Sequence, residues 1–240
     1  MSLGPEIMIL ATLAICLGAV LQAATGLGAG MVSFPLLALI SLKLVPGPLI
    51  FASFFLSVSM AYHGRSNIRY GSMDLLALGI VVGTVIGGYS LSIVPVEQLG
   101  VFFGTLLLTV VIISIFGRKL SYNKINMLSL GTAAGFMGIT VASGSPFVAL
   151  LYQHENGPTI RATLALIYMF GSVLTLSILN WANLFGYEEM IYGLYLTPGF
   201  LLGYFASGKL ASYIDKGYSR VIILVISSCS ATALIVKYIY

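Results

Sequence analysis

From Ile7 to Leu42 the chain runs without a Lys, Arg, Asp or Glu, and it does so again from Ile125 to His154. A helix needs about 20 apolar residues to cross the hydrocarbon core of a bilayer. Each run is too long for one such helix and too short for two plus a turn. Both carry helix breakers in the middle: Gly26, Gly28, Gly30 and Pro35 in the first, Gly138, Gly144 and Pro146 in the second. Glycine has poor helix propensity and proline lacks a backbone donor, so each run is expected to split into two helical pieces. Irregular backbone at membrane depth survives only where protein or a water-filled cavity satisfies its polar groups. Both breaks are therefore expected to face the interior. A hairpin of partial helices returning to its own side, or two short tilted crossings, gives the same net topology.

The remaining charge-free runs, 44–64, 75–96, 98–117, 162–187, 190–208 and 221–236, are near the length of one span. Charged residues make up 8% of the 240 and hydrophobic residues 59%, against about 25% and 45–50% in soluble domains. Too few charges remain to cover a globule in water, so the fold class is an all-α polytopic membrane protein with the lipid bilayer as its solvent. The net charge of +4 comes with no basic run and no aromatic-basic interleaving, which excludes nucleic acid as a partner. Cys16 and Cys229 lie inside apolar stretches and read as small buried residues, not as a disulfide or a metal site. No metal and no cofactor are expected. The opening MSLGPE has no positive n-region, so the first helix is expected to be retained, not cleaved.

If each long run returns to its starting side, the loops fall into two groups. The loops 63–74, 117–125, 153–161 and 209–220 hold Arg65, Arg69, Arg118, Lys119, Lys124, Arg161, Lys209, Lys216 and Arg220, which is every basic residue except Lys43 and Lys237. The positive-inside rule makes this group cytoplasmic and puts both termini outside. The chain then divides into two inverted repeats. Residues 1–120 hold the broken run 7–42 and the spans 44–64, 75–96 and 98–117. Residues 121–240 hold the broken run 125–154 and the spans 162–187, 190–208 and 221–238. Three matches recur in the same order in each half: Pro35 with Pro146, GPLIFAS from Gly47 with GPTIRAT from Gly157, and GTVIGGY from Gly83 with GFLLGYF from Gly199. Inverted repeats with interrupted helices are an architecture of secondary transporters that bind substrate near the midplane.

The breaks supply the candidate site. Gly26, Gly28, Gly30 and Gly144 let backbone N–H groups approach a ligand, and helices starting near Pro35 and Pro146 would point their positive dipole ends at it. Gln22 and the hydroxyls of Thr25, Ser33, Thr140, Ser143 and Ser145 add neutral polar groups, and Ser53 and Thr163 are matched hydroxyls early in the spans that follow. Donors without a carboxylate suit an anion. The competing reading has the glycines permitting tight packing and the hydroxyls bonding to their own helices. Arg161 either attracts an anion from the cytoplasm or is a flanking basic residue. His63 and His154 lie at segment ends and read as interfacial, as do Trp181 and the tyrosines Tyr62, Tyr70, Tyr122, Tyr152, Tyr187 and Tyr192. No ionisable residue lies deep in a span, which argues against a pump built on a buried carboxylate.

The Gly-rich turn closing on Pro-Leu-Leu (Gly26 to Leu37), the second break with Gly144 and Pro146, and the late helix Thr197 to Ile214 resemble the TauE/SafE sulfite exporter family. The resemblance implies a multi-pass permease of the bacterial or archaeal inner membrane for a small sulfur-containing anion such as sulfite or a sulfonate. It carries over Gly26, Gly28, Gly30, Pro35, Gly144 and Pro146 as substrate positions. A coupling proton or sodium ion and a homodimer are compatible with such a protein. Two other functions compete with this one: an anion channel of the same architecture, and an intramembrane serine hydrolase using Ser143. The hydrolase needs a base within reach, and the glycine of a Gly-x-Ser-Gly motif is replaced by Val141. The chain is therefore expected not to be an enzyme.

Overall fold

The computed structural model describes residues 4–71, 73–117, 121, 123–152, 154–214 and 218–239, with only the backbone of residues 28, 208–214 and 218–220. Arg118, Lys119, Tyr122 and Lys216 lie outside the described residues, as do the side chains of Lys209 and Arg220. The described chain is helical and contains no strand. It forms α1 (Pro5–Thr25), α2 (Gly28–Ile40), α3 (Gly47–His63), α4 (Met73–Ile93) and α5 (Leu99–Phe116). These are followed by α6 (Lys124–Val141), α7 (Ser145–Tyr152), α8 (Gly157–Trp181), α9 (Tyr187–Ile214) and α10 (Tyr218–Ile239).

Each long run breaks, as its glycines require, but into unequal arms. α1 has 21 residues and α2 has 13, and α6 has 18 while α7 has 8. At 1.5 Å per residue, the first arm of each hairpin is near full-span length and the second is a short return, so the expected pair of partial helices is corrected to one long and one short. Gly26 ends α1 in the left-handed region at φ 79°, where glycine meets no Cβ penalty. Gly18 of α1 faces Ala29 and Ser33 of α2, and Gly144 at the head of α7 faces Ala134 of α6, so both second arms run back along the first. The two Gly-Pro pairs open α3 and α8 as their first helical turns, the position proline favours.

Among the described residues six stretches are long and apolar enough to cross a membrane: Pro5–Thr25, Leu42–His63, Met73–Ile93, Val96–Phe116, Gly157–Trp181 and Val221–Ile239. α8 ends at Trp181, short of the expected 187. Leu13, Leu78, Val85, Ile112, Phe170, Val173, Leu202 and Phe205 face outward, and such an apolar surface suits lipid, not water. Cys229 is exposed on this surface and Cys16 is half-buried, not the buried pair expected. Tyr152 and Tyr192 are likewise buried, so they are core residues and not part of an aromatic belt.

Small residues set the closest packing. Gly79, Gly83 and Gly87 lay α4 along Leu128, Thr132 and Phe136 of α6, while Gly199 and Gly203 lay α9 along Thr12 and Cys16 of α1. The two Gly-x-x-x-Gly segments thus pack against the long arms of the two hairpins. α3 packs on α8 and α9, and α5 packs on α10. At one end of the bundle Gly47 abuts Phe185, Lys43 pairs with Glu188 at 3.6 Å, and the Lys237 ammonium donates to the Leu39 carbonyl at 2.8 Å. At the other end Gly64 abuts Ala162, Gly117 abuts Leu150, and Arg69 pairs with Glu155.

Candidate functional site

The two breaks meet. A Cβ on Gly30, one turn into α2, would fall on the Ala142 carbonyl at the end of α6, and it would lie 3.1 Å from Ser143 Oγ. Ala142 itself is left-handed at φ 51°, an uncommon conformation for a non-glycine residue. The Ser145 hydroxyl reaches towards the Leu27 carbonyl at 3.5 Å, linking the second break to the first.

Beside this junction lies a cavity of about 90 Å³. A water requires roughly 10–15 Å³ of such space, so the cavity holds a small solute with some hydration. Its walls come from Gln22 and Gly30 of the first hairpin, Gly138, Ala142, Gly144 and Ser145 of the second, Ser53 and Ser57 of α3 and Thr84 of α4. Tyr168, Gly171, Ser172 and Thr175 of α8 close it. Among the described residues no Lys, Arg, His, Asp or Glu lines it.

Of the positions expected from sequence, Gln22, Gly30, Ser53, Gly144 and Ser145 line this cavity. Ser143 is fully buried next to Gly30, and its hydroxyl has no hydrogen-bond partner. Others do different work. Thr25 Oγ1 donates to the Leu21 carbonyl at 2.8 Å and accepts from the Leu27 N–H at 3.1 Å. The Ala29 N–H donates to Gln22 Oε1 at 2.9 Å. Two backbone donors of the first break are therefore committed within the chain. Thr140 donates to Phe136 in its own helix at 2.7 Å. Ser33 is buried against Gly18, between α1 and α2, without a partner. Thr163 accepts the Arg69 N–H at 3.1 Å and is absent from the cavity lining, so it does not mirror Ser53. Thr25 and Pro146 line a second, mostly apolar cleft of about 210 Å³ with Leu27, Met31, Ile223 and Leu224.

Two prolines are placed differently from each other. Pro146 is the second residue of α7, but Pro35 sits inside α2, well past its start. The expected helix start at Pro35 is corrected to Gly28. Arg161 donates to the Ala24 carbonyl at 3.3 Å, where a cation complements the C-terminal end of α1. His63 Nδ1 contacts the Ser59 carbonyl at 2.7 Å and His154 is exposed at a helix connection, both at a bundle end.

Sequence reading missed Ser57, Thr84, Tyr168, Ser172 and Thr175. A hydroxyl in an apolar helix carries no mark of which face it occupies. A usable signal did exist on α8, where Tyr168, Ser172 and Thr175 fall at i, i+4 and i+7 and so share one face.

A helical bundle with an apolar exterior, two broken helices meeting inside and, at their junction, a largely apolar cavity whose polar groups are uncharged among the described residues defines a polytopic membrane protein of the transporter type. The family model described as Sulfite exporter TauE/SafE matches residues 10–234, nearly the whole chain. The chain belongs to that family, which is one of membrane transporters. No curated protein and no solved structure matches it.

Proposed function

We propose that the protein is a secondary transporter of a small sulfur-containing oxyanion, such as sulfite or a sulfonate, bound in the cavity beside the two breaks. The observation that carries this reading is the contact of Gly30 with Ala142 next to a cavity whose polar lining is hydroxyls and an amide, with no charged side chain among the described residues. Neutral donors held among apolar walls are worth more than in water and suit an anion. A bound cation would instead call for carboxylates.

The helix pairings support alternating access by two related halves. Exchanging α1–α5 with α6–α10 turns the α4–α6 pair into the α9–α1 pair and leaves α3–α8 and α5–α10 unchanged, and all four pairs are in contact. The basic loops set Arg65, Arg69, Lys124 and Arg161 towards the cytoplasm and both termini outside.

The test is stabilisation and flux. Sulfite, methanesulfonate and thiosulfate are expected to raise the melting temperature of the solubilised protein, and proteoliposomes are expected to show saturable uptake accelerated by substrate on the far side. Uptake without such acceleration indicates the channel form. Indifference to every sulfur anion in both assays refutes the reading. A hydrolase would need a base at Ser143, and the hydroxyl of Ser143 has no hydrogen-bond partner.

A further inference from the structure

The cavity hydroxyls are not equivalent. On α3 and α4 each proton is committed to the helix's own backbone. Ser53 donates to the Ile50 carbonyl at 3.0 Å, Ser57 to Ser53 at 2.9 Å, and Thr84 to Ile80 at 2.6 Å. Only oxygen lone pairs are left for the cavity. On α8 the reverse holds. The Tyr168 hydroxyl is buried with no partner. Ser172 and Thr175 are 7% and 4% exposed, and among the described residues neither hydroxyl bonds to the chain. Gln22 is 5% exposed, and because its Oε1 accepts the Ala29 N–H, its amide nitrogen is left with unpartnered donors.

The site therefore has a donor side, Gln22 with α8, and an acceptor side, α3 with α4. A buried donor or acceptor without a partner costs free energy, so the preferred occupant satisfies both sides. A bare oxyanion satisfies only the first. The electrostatic cost of burying an ion rises with the square of its charge, and among the described residues no side-chain cation lines the cavity to offset it. This disfavours a dianion.

We propose that the cavity selects a monoanionic oxyanion bearing its own hydrogen-bond donor. Gln22, Tyr168, Ser172 and Thr175 hold its oxygens, and Ser53, Ser57 and Thr84 receive its O–H or N–H. Hydrogen sulfite, hydroxysulfonates and sulfamate have this chemistry; sulfite dianion and sulfate do not. The proposal rests on the anion-transport reading and adds the protonation state and substituent of the substrate.

The experiment compares three probes on the purified full chain: hydroxymethanesulfonate, methanesulfonate and sulfate, at one pH and ionic strength. The expected order of affinity is as written, with about five- to tenfold between the first two, the value of one added hydrogen bond. Thr84→Val and Ser57→Ala are expected to collapse that first ratio, and the melting temperature of each variant without ligand reports that it is folded. Tyr168→Phe and Ser172→Ala are expected to weaken both sulfonates alike, by about tenfold each. Sulfate binding as tightly as methanesulfonate, or a ratio unchanged in Thr84→Val and Ser57→Ala, overturns this proposal while leaving anion transport standing. Failure of all three probes and of sulfite to bind the wild-type chain overturns the transport reading and this one with it.

Discussion

The Ser227 hydroxyl of α10 donates to the Met31 carbonyl of α2 at 2.8 Å, deep in the bundle and 0% exposed. In a regular helix that carbonyl would accept from residue 35, but residue 35 is proline and has no N–H. A distant helix thus supplies the donor that the broken arm lacks, and the short return helix stays helical through its proline. Ser227→Ala leaves a buried carbonyl without a partner and is expected to lower stability by about 1–2 kcal/mol. Pro35→Ala restores the backbone donor, so adding Ser227→Ala to it is expected to cost less than half as much. A double-mutant cycle on thermal or denaturant unfolding measures this coupling.

Gly30 and Gly171 both line the cavity but differ in what surrounds them. A Cβ at Gly30 would strike the Ala142 backbone, whereas one at Gly171 meets nothing within 4 Å. Gly30→Ala is expected to push the two breaks apart and abolish flux, with a loss of stability of about 2 kcal/mol or more from overpacking. Gly171→Ala is expected to fold normally and only to narrow the cavity, reducing uptake of the larger sulfonates before that of sulfite. The pair is checked by melting temperature alongside flux.

Much of this was legible because charges are scarce and glycine and proline act locally. The gaps between charges located the spans to within a few residues, and the clustered glycines located the two breaks. What the sequence could not convey was long-range satisfaction of backbone groups. Pro35 reads as a helix start until Ser227 is known to serve the Met31 carbonyl. Thr163 reads as the twin of Ser53 until it is seen holding the Arg69 N–H of a loop nearly a hundred residues earlier in the chain. The α8 hydroxyls were passed over for the same reason in reverse: most hydroxyls here, such as Thr105 and Ser177, bond one turn back in their own helix, and only contacts reveal those that do not.

The contrast between Ser53 and Thr163 is itself testable. Thr163→Val keeps the shape, removes the acceptor for Arg69 N–H, and is expected to loosen the α3–α4 connection without changing anion affinity. Ser53→Val adds a methyl group and removes a hydrogen-bond acceptor at the cavity wall, and is expected to weaken hydroxymethanesulfonate binding about tenfold. Anion-dependent melting shifts separate the two, and hydrogen exchange of residues 64–71 reports the loosening in Thr163→Val alone.

Orientation is tested at the two ends of the bundle. Lys43, Glu97 and Glu188 belong to connections at one end, and Asn67 and Asn156 to connections at the other. With Cys16 and Cys229 replaced by alanine, single cysteines at positions 43, 97 and 188 are expected to react with an impermeant maleimide on intact cells. Cysteines at 67 and 156 are expected to react only after permeabilisation. The decisive comparison is 43 with 67, because α3 alone separates them. Position 43 also follows the first hairpin, so external labelling there together with external labelling ahead of α1 means that α1 and α2 return to the side they left. Labelling of 43 and 67 from the same face would instead require α3 not to cross, and the positive-inside assignment would fall with it.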